Sequence, residues 1–145
     1  QEPVELGYPE ESQEEEMLSR FQTADPLAGL QPVASADQVL GFQSAVREVH
    51  FDPVLRNYLV QLVQATRRHP DIELGASPRA SLGLYRCSQA LAAIQGREYV
   101  TPDDVKRLAP HALSHRIILK SQARLRERTQ ESLIHELLER LPVPV

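Results

Sequence analysis

Arg79 is the residue whose type and position most directly suggest chemistry. It follows Ser77 and Pro78, a favoured N-cap and a favoured first helical residue, so the pattern places it second in a helix. The partial positive charge of a helix N-terminus makes this position unfavourable for a cation by about 0.3–1 kcal/mol. A hydrogen bond from the guanidinium to an anion contributes about 1.5–3 kcal/mol and outweighs that cost. The pattern therefore indicates an anion site, and the planar guanidinium matches phosphate oxygens.

The local sequence leaves two other interpretations of Arg79 open. Its long side chain can extend into solvent, away from the positive end of the helix. It can also form an ion pair with a carboxylate such as that of Glu73. Neither of these alternatives gives Arg79 a role in function.

The chain lacks the motifs of a self-sufficient enzyme. None of its six glycines begins a GxxxxGK[ST] phosphate-binding loop, and neither GxSxG nor GxGxxG occurs. Cys87 falls on an apolar helical seam, which favours a buried, inert thiol over a nucleophile. Asp103 and Asp104 fall in the first turn of a helix, where carboxylates complement the helix dipole. We therefore assign no catalytic residue in this chain.

His111 and His115 have the spacing of two zinc ligands on one helical face. The residues between them include no Glu that could act as a base. No third ligand is evident from the pattern. We therefore predict no metal site in this chain.

Composition and apolar spacing predict an all-α fold. The chain has 145 residues, enough for one domain, and 41% are hydrophobic but only 5% are aromatic, with no Trp. A core of Leu, Val, Ile and Ala suits helices that pack on helices. We predict a bundle of five to six helices with at most a very short strand element.

Capping residues mark the expected helix boundaries. The predicted starts are Ser12 with Glu15 as a capping box, Ser35 or Asp37, Asp52, Ser77, Thr101 and Thr129. The apolar face of the second helix is predicted at Val39, Phe42, Val46 and Val49, and the seam of the fourth at Ala80, Leu84, Cys87, Leu91 and Ile94. Gly96 is expected to end the fourth helix in a left-handed conformation. Two apolar fragments, 4–6 and 116–119, have the character of short strands.

The distribution of charge narrows the classes of partner. The net charge is −4, and the first 20 residues hold seven acids and one base. The remainder is nearly neutral and has no basic stripe with interleaved aromatics, so we expect no nucleic-acid partner. No signal peptide is visible and no apolar run approaches the ~20 residues of a membrane span, so we expect a cytoplasmic protein. Several arginines are predicted to be solvated rather than to contact neighbours: Arg67, Arg68, Arg97, Arg116 and the run Arg124–Arg128.

Several stretches of the chain resemble one family of ATPases. A close resemblance to the C-terminal part of MoxR-family AAA+ ATPases extends from Leu74 to Leu119 and includes "GASPRA" and "GREYVTPDDVK". Four further stretches resemble the same family in the same order: "ELGYPEESQEEEML", "DPLAGLQPV", "VREVHFDPVLRNYLVQLVQATRRHPDIEL" and "LPVPV". The resemblance implies an AAA+ lid domain, the smaller helical half of a module that binds nucleotide between a P-loop core and the lid.

The resemblance also implies a role for Arg79. The arginine of "GASPR" matches the sensor 2 residue, which in AAA+ modules reaches the terminal phosphates of ATP. Ser77 and Pro78 would position it at the start of the helix. The family therefore implies the same ligand class, a phosphate, that the local pattern indicates.

The stretch "LGYPEESQEEEML" resembles the junction between core and lid. In this superfamily, residues of that junction line the adenine pocket. Tyr8, Pro9 and Met17 are the corresponding candidates for adenine-side contacts in this chain. Met17 equally suits a place in the core of the first helix.

The chain departs from the family pattern in what it lacks. The phosphate-binding loop, the magnesium-binding acids and the arginine finger are absent, and "QEPV" does not match the usual approach to the junction. We therefore expect a piece of a longer protein, with residues 1–11 as the junction to the core and 12–145 as the helical lid. ATP and Mg would act in the full-length protein. Neither would be held tightly by this chain, which is not expected to hydrolyse ATP alone.

By resemblance, the whole protein would be a chaperone-like ATPase that remodels or matures partner complexes. Its lid would contact its own core and neighbouring subunits in a ring, and von Willebrand factor A domain proteins are the partners that the family implies. The alternative is a stand-alone helical interaction module, because "REYVTPDDVKRLAPHAL" also resembles the last-helix region of histone-fold proteins. Such a module would bind protein or DNA without nucleotide, although the acidic net charge argues against DNA.

Overall fold

The computed structural model of the protein describes residues 7–22 and 25–143, which form seven α-helices and a two-stranded ribbon. The described residues group into two compact units, one up to residue 42 and one from residue 43 onward. The mostly-α fold is therefore confirmed. The strand-like fragment predicted at 4–6 lies outside the described residues, as does most of the predicted junction 1–11, and that domain boundary stays a prediction.

The first unit contains helix α1 (Glu11–Phe21), a 3₁₀-helix (Pro26–Gly29) and the beginning of α2 (Ala36–Glu48). The capping box predicted at the start of α1 is wrong, because Glu10 is the N-cap and its N–H donates to the side chain of Gln13. The helix therefore begins before Ser12.

The start of α2 at Ser35 is confirmed. Ser35 Oγ accepts a hydrogen bond of 3.2 Å from Gln38 N, and the Gln38 side chain accepts one from Ser35 N. The apolar face predicted for this helix is buried only at the C-terminal end, where Val49 is 9% exposed. Val39 and Phe42 on the same face are exposed.

The second unit holds the hydrophobic core. It contains the end of α2, α3 (Pro53–Arg68), β1 (Ile72–Leu74), α4 (Pro78–Ile94), α5 (Pro102–Leu113), β2 (Ile118–Leu119), α6 (Ser121–Leu125) and α7 (Gln130–Arg140). The N-caps predicted at Asp52 and Thr101 are confirmed, as is the start of the last helix near Thr129, which is its N-cap. Each of the three side chains accepts a hydrogen bond from the first turn of its helix. The five-residue helix α6 was not predicted. Burial of the aliphatic faces of the longer helices is the main stabilising contribution.

The buried seam of α4 differs from the predicted one. Ala80, Leu84, Ser88 and Ala92 are buried at steps of four, whereas Cys87 is half-buried and Ile94 is 83% exposed. Gln89 is also buried on α4, and its side-chain amide donates a hydrogen bond of 2.8 Å to Val49 O, just after the end of α2. The buried amide of Gln89 thus provides a hydrogen-bond donor for the carbonyl of Val49, which has no partner within α2.

Strands β1 and β2 pair in antiparallel orientation, with Ile72 opposite Leu119 and Leu74 opposite Ile118. Lys120 N also donates to Asp71 O at 3.0 Å, which extends the pairing by one bond. The strand predicted within 116–119 is confirmed, and its partner β1 is a finding of the structure. The ribbon anchors the chain that leads from α3 toward α4.

An ion pair fixes the turn between α4 and α5. Arg97 donates two hydrogen bonds to the buried carboxylate of Asp104, at 2.7 and 2.8 Å, and Thr101 N donates a third. The prediction that Arg97 is solvated is wrong, because the third residue of α5 presents a carboxylate to this turn. The same prediction is wrong for Arg128, which is paired with Glu136 of α7. Burial acts to raise the pKa of Asp104, but the hydrogen bonds from Arg97 and Thr101 outweigh it and hold the pKa below its usual value. Gly96, with φ +71°, ends α4 as predicted.

We predict that Asp104→Asn removes a pH-dependent part of the stability. Because the folded-state pKa is depressed, the ion pair stabilises the protein above the ordinary carboxyl pKa of about 4 and is lost as the pH falls through the folded-state pKa. Urea unfolding should show a lower free energy of unfolding for the variant at pH 7, and the difference should shrink toward pH 3. The control Asp103→Asn, an exposed neighbour, should change little. A deficit that is equal at every pH would contradict this account.

Candidate functional site

The candidate site lies at the start of α4, where the structure brings Ser77, Pro78 and Arg79 together. Ser77 is the N-cap with an extended backbone (φ −78°, ψ 166°), Pro78 is the first helical residue and Arg79 the second. The helix start is thus confirmed as predicted. The binding of phosphate at this position stays a prediction.

The guanidinium of Arg79 is exposed and forms no hydrogen bond or ion pair with any other residue that the structure describes. The ion pair with Glu73, one of the open alternatives, is not formed. The first turn of α4 contains no acidic residue, and the Ser77 side chain makes no capping hydrogen bond. No described side chain therefore neutralises the partial positive charge at the N-terminus of α4. The exposed Arg79 in the first turn adds a further positive charge there.

A buried hydrogen-bond clamp holds the residues that precede the site against the end of α3. The hydroxyl of Thr66 donates to Val63 O at 2.6 Å and accepts a bond of 3.0 Å from Ala76 N. Arg67 Nε donates to Ala76 O at 2.8 Å. Thr66 and Ala76 are both inaccessible to solvent. Both backbone polar groups of Ala76 are therefore paired, which fixes the chain immediately before the N-cap.

Gly75 allows this close approach. A Cβ atom at this position would lie 2.6 Å from the Cα and 2.7 Å from the N of Arg67, well inside van der Waals contact. Only a residue without a side chain fits while the clamp is closed. On the other side of the site, Ala80 and Leu84 are buried and hold the first turns of α4 in the core. Arg79 therefore lies between Ala76, which the clamp fixes, and the buried residues Ala80 and Leu84.

Sequence reasoning missed the residues of this clamp. Arg67 was predicted to be solvated, and the residue is exposed, but its Nε also donates to the Ala76 carbonyl, a contact that the prediction did not include. Thr66 continues the apolar stripe of α3 at a step of three from Val63, so a polar residue at an interior position was the available signal. Gly75, two residues before a predicted N-cap, was a second signal.

The other predicted site residues lie in the first unit. Tyr8 and Pro9 are exposed just before α1, and Met17 is 48% exposed on that helix. No described residue of α1 is buried, so the alternative that Met17 belongs to a core is not supported. The adenine-side role of these three residues stays a prediction.

The histidine pair with the spacing of zinc ligands makes a backbone contact instead. His115 Nδ1 lies 3.0 Å from His111 O, which occupies that imidazole nitrogen with a backbone contact. Across residues 7–22 and 25–143, no group of three or more His, Cys, Asp or Glu side chains is arranged to hold a metal ion. Within the same ranges, none of the helices combines the length and the apolar character that a membrane span requires.

We predict opposite effects for alanine at two glycines of this region. Gly75→Ala forces the backbone away from Arg67, and such overpacking costs about 1–3 kcal/mol. Gly83→Ala, within α4, meets no atom within 4 Å and should stabilise by about 0.5–1 kcal/mol, because alanine is the better helix former. Urea unfolding of both variants measures the two signs. A neutral Gly75→Ala would show that the approach of these segments is not tight.

Comparison with known proteins identifies the family. The chain matches the AAA lid domain family over residues 64–137, about half of its length, and this interval includes the clamp and Arg79. It is 36% identical to YeaC of Bacillus subtilis and 31% identical to the chaperone MoxR1 of Mycobacterium tuberculosis, in each case over 97% of the chain. It spans 44% and 39% of those proteins, less than half of either.

A solved structure shares the fold. The crystal structure of a "putative ATPase" from Cytophaga hutchinsonii superposes with a TM-score of 0.85 over 99% of this chain and 46% of that one, at 27% identity. The interval matched by the family also contains 97–113, the stretch that suggested a histone-fold module. The chain belongs to the AAA lid domain family, and the relatives to which it is similar include proteins named MoxR.

Proposed function

We propose that this chain is the sensor 2-bearing lid of a MoxR-like AAA+ ATPase and that Arg79 contacts the terminal phosphates of ATP. The observation that carries the proposal is an exposed guanidinium, without a partner among the described residues, on the second residue of a helix whose start is clamped. The nucleotide would lie between the lid and a P-loop core of the same polypeptide. We assign Mg to the core, as the family resemblance implies.

The electrostatics of the helix start favour a phosphate over other ligands. The partial positive charge at the N-terminus of α4 and the guanidinium of Arg79 act on the same anion, so the cost of placing a cation there is reversed when an anion binds. A guanidinium can donate two parallel hydrogen bonds to phosphate oxygens. The clamp limits the freedom of α4, so little order has to be gained when the contact forms.

Loss of the γ-phosphate would change the equilibrium between lid positions. A ligand shifts a conformational equilibrium only by its differential affinity for the two states, and the contact with Arg79 exists only when the lid is closed over ATP. After hydrolysis that contact is lost and the open position is favoured. The buried residues of α4 would transmit the rotation to the rest of the lid as one body.

The wider function follows from the same proposal. AAA+ modules assemble as rings, so the lid would contact neighbouring subunits, and the name of the relative MoxR1 supports a chaperone-like remodelling or maturation activity. Proteins with von Willebrand factor A domains are the partners that the family resemblance suggests. Tyr8, Pro9 and Met17 would form the adenine side of the pocket, for which all three are exposed. We place the protein in the cytoplasm.

The alternative of a stand-alone interaction module leaves more unexplained. It assigns no ligand to Arg79 and no role to the clamp that fixes the start of α4. The presence of a GxxxxGK[ST] loop upstream in the same polypeptide would separate the two proposals, because only the ATPase requires it.

We predict that Arg79→Ala in the full-length protein lowers ATP turnover or nucleotide affinity by roughly 10- to 100-fold, the equivalent of one charge-assisted hydrogen bond. Arg79→Lys should recover only part of the loss, because an ammonium cannot form the two-pronged contact. Steady-state hydrolysis and binding of a fluorescent ATP analogue measure both quantities.

The matched control is Arg107→Ala, which removes an exposed arginine of α5 that makes no side-chain hydrogen bond among the described residues. It should leave turnover and affinity unchanged. If Arg79→Ala behaves like this control, Arg79 is not the phosphate contact and the proposal is wrong.

A further inference from the structure

A groove between α3 and α7 lies apart from the start of α4 and shares no lining residue with Arg79, Ser77 or Pro78. Its volume is about 660 Å³, within the range of about 300–1,000 Å³ that ligand sites occupy. Side chains of α3 form one wall, and the last turn of α7 with Leu141 forms the other. Nothing in the proposed nucleotide contact uses this groove.

The α3 wall is a row of hydrogen-bonding side chains. Asn57, Gln61, Gln64 and Arg68 follow one another at steps of four, three and four, which places them on one face of the helix, and all four are exposed. Each carboxamide both donates and accepts, the same pair of functions that a peptide backbone carries. The row extends over roughly 16 Å, the length of about five residues of extended chain.

The charge of the lining is positive. It contains Arg68 and Arg140 but no Asp or Glu. Glu136, which does not line the groove, forms an ion pair with Arg140, with Oε1 2.6 Å from Arg140 Nη2. It is also paired with Arg128. Burial acts to raise the pKa of Glu136, but hydrogen bonds from Arg128 and His69 hold it below the usual value, so this carboxylate stays ionised at neutral pH. Arg140 is thus oriented, and the local cations outnumber the acid.

The remaining lining is apolar. Ala65, Pro70, Leu137 and Leu141 contribute carbon surface between the polar row and Arg140. Such a surface suits aliphatic side chains that point inward from an extended peptide, since successive side chains of a strand alternate in direction. A small anion would use the arginines alone and leave the carboxamide row and this apolar surface without a role.

We propose that the groove between α3 and α7 binds an extended acidic peptide segment of a partner protein. The carboxamides of Asn57, Gln61 and Gln64 pair with the peptide backbone, donating to its carbonyls and accepting from its N–H groups. Arg68 and Arg140 donate to its carboxylates. The inference goes beyond the nucleotide-binding role, because it concerns a different surface and needs no ATP.

The test uses fluorescein-labelled heptapeptides that alternate Glu with Leu or Val, titrated with the 145-residue chain and followed by fluorescence anisotropy without nucleotide. Matched peptides carry Lys in place of Glu. We expect the acidic peptides to bind at least tenfold more tightly than the Lys peptides. Arg68→Ala and Arg140→Ala should each weaken binding at least fivefold, and Gln64→Trp, which fills the groove from an exposed position, should abolish it.

Arg107→Ala is the control for loss of one positive charge and should leave binding unchanged, while thermal unfolding verifies that each variant is folded. Equal affinity for acidic and Lys peptides, or an equal effect of Arg107→Ala, would overturn the proposal. So would competition by inorganic phosphate at the affinity of the peptide, which would reduce the groove to an anion site. Sedimentation of the chain alone tests a second copy as occupant, and a dimer lost on Arg68→Ala would likewise overturn the partner peptide.

Discussion

The candidate site depends on the hydrogen bond between the Thr66 hydroxyl and Ala76 N. This bond ties the last turn of α3 to the residue before the N-cap of α4, and it can do so only because Gly75 lets the two segments touch. A buried backbone N–H that lost this acceptor would cost about 1–3 kcal/mol, so the connection is strongly specified. The position of the Arg79 backbone follows from it, since a clamped start leaves α4 few ways to move independently of α3.

The end of α3 serves two surfaces at once. Thr66 and Arg67 turn toward the chain that leads to α4, whereas Gln64 and Arg68 line the groove beside α7. Adjacent residues of a helix point in different directions, so one short segment can hold the candidate phosphate contact on one side and a peptide-sized groove on the other. Both surfaces are therefore organised around the C-terminal turns of α3.

The parts of the fold that arise from local rules could be predicted from the sequence. The starts of α3, α4, α5 and α7 follow from an N-cap side chain or a proline, which act within one turn. The misses share a different origin. Gln89, Arg67 and Arg97 are polar residues held by partners that folding brings to them, and local periodicity assigns such side chains to solvent. Strand β1 depends in the same way on its pairing with β2, which follows α4 and α5 in the sequence.

The same distinction between local features and contacts made by folding applies to the candidate site. The helix start and its arginine could be predicted from three consecutive residues, but the clamp that orients them joins two elements. The most direct test is a crystal structure of the full-length protein with a non-hydrolysable ATP analogue. The account predicts guanidinium nitrogens of Arg79 within about 3.2 Å of a terminal phosphate oxygen, with the bond from Ala76 N to Thr66 intact. An Arg79 side chain that faces solvent or a carboxylate while the nucleotide is bound would contradict it.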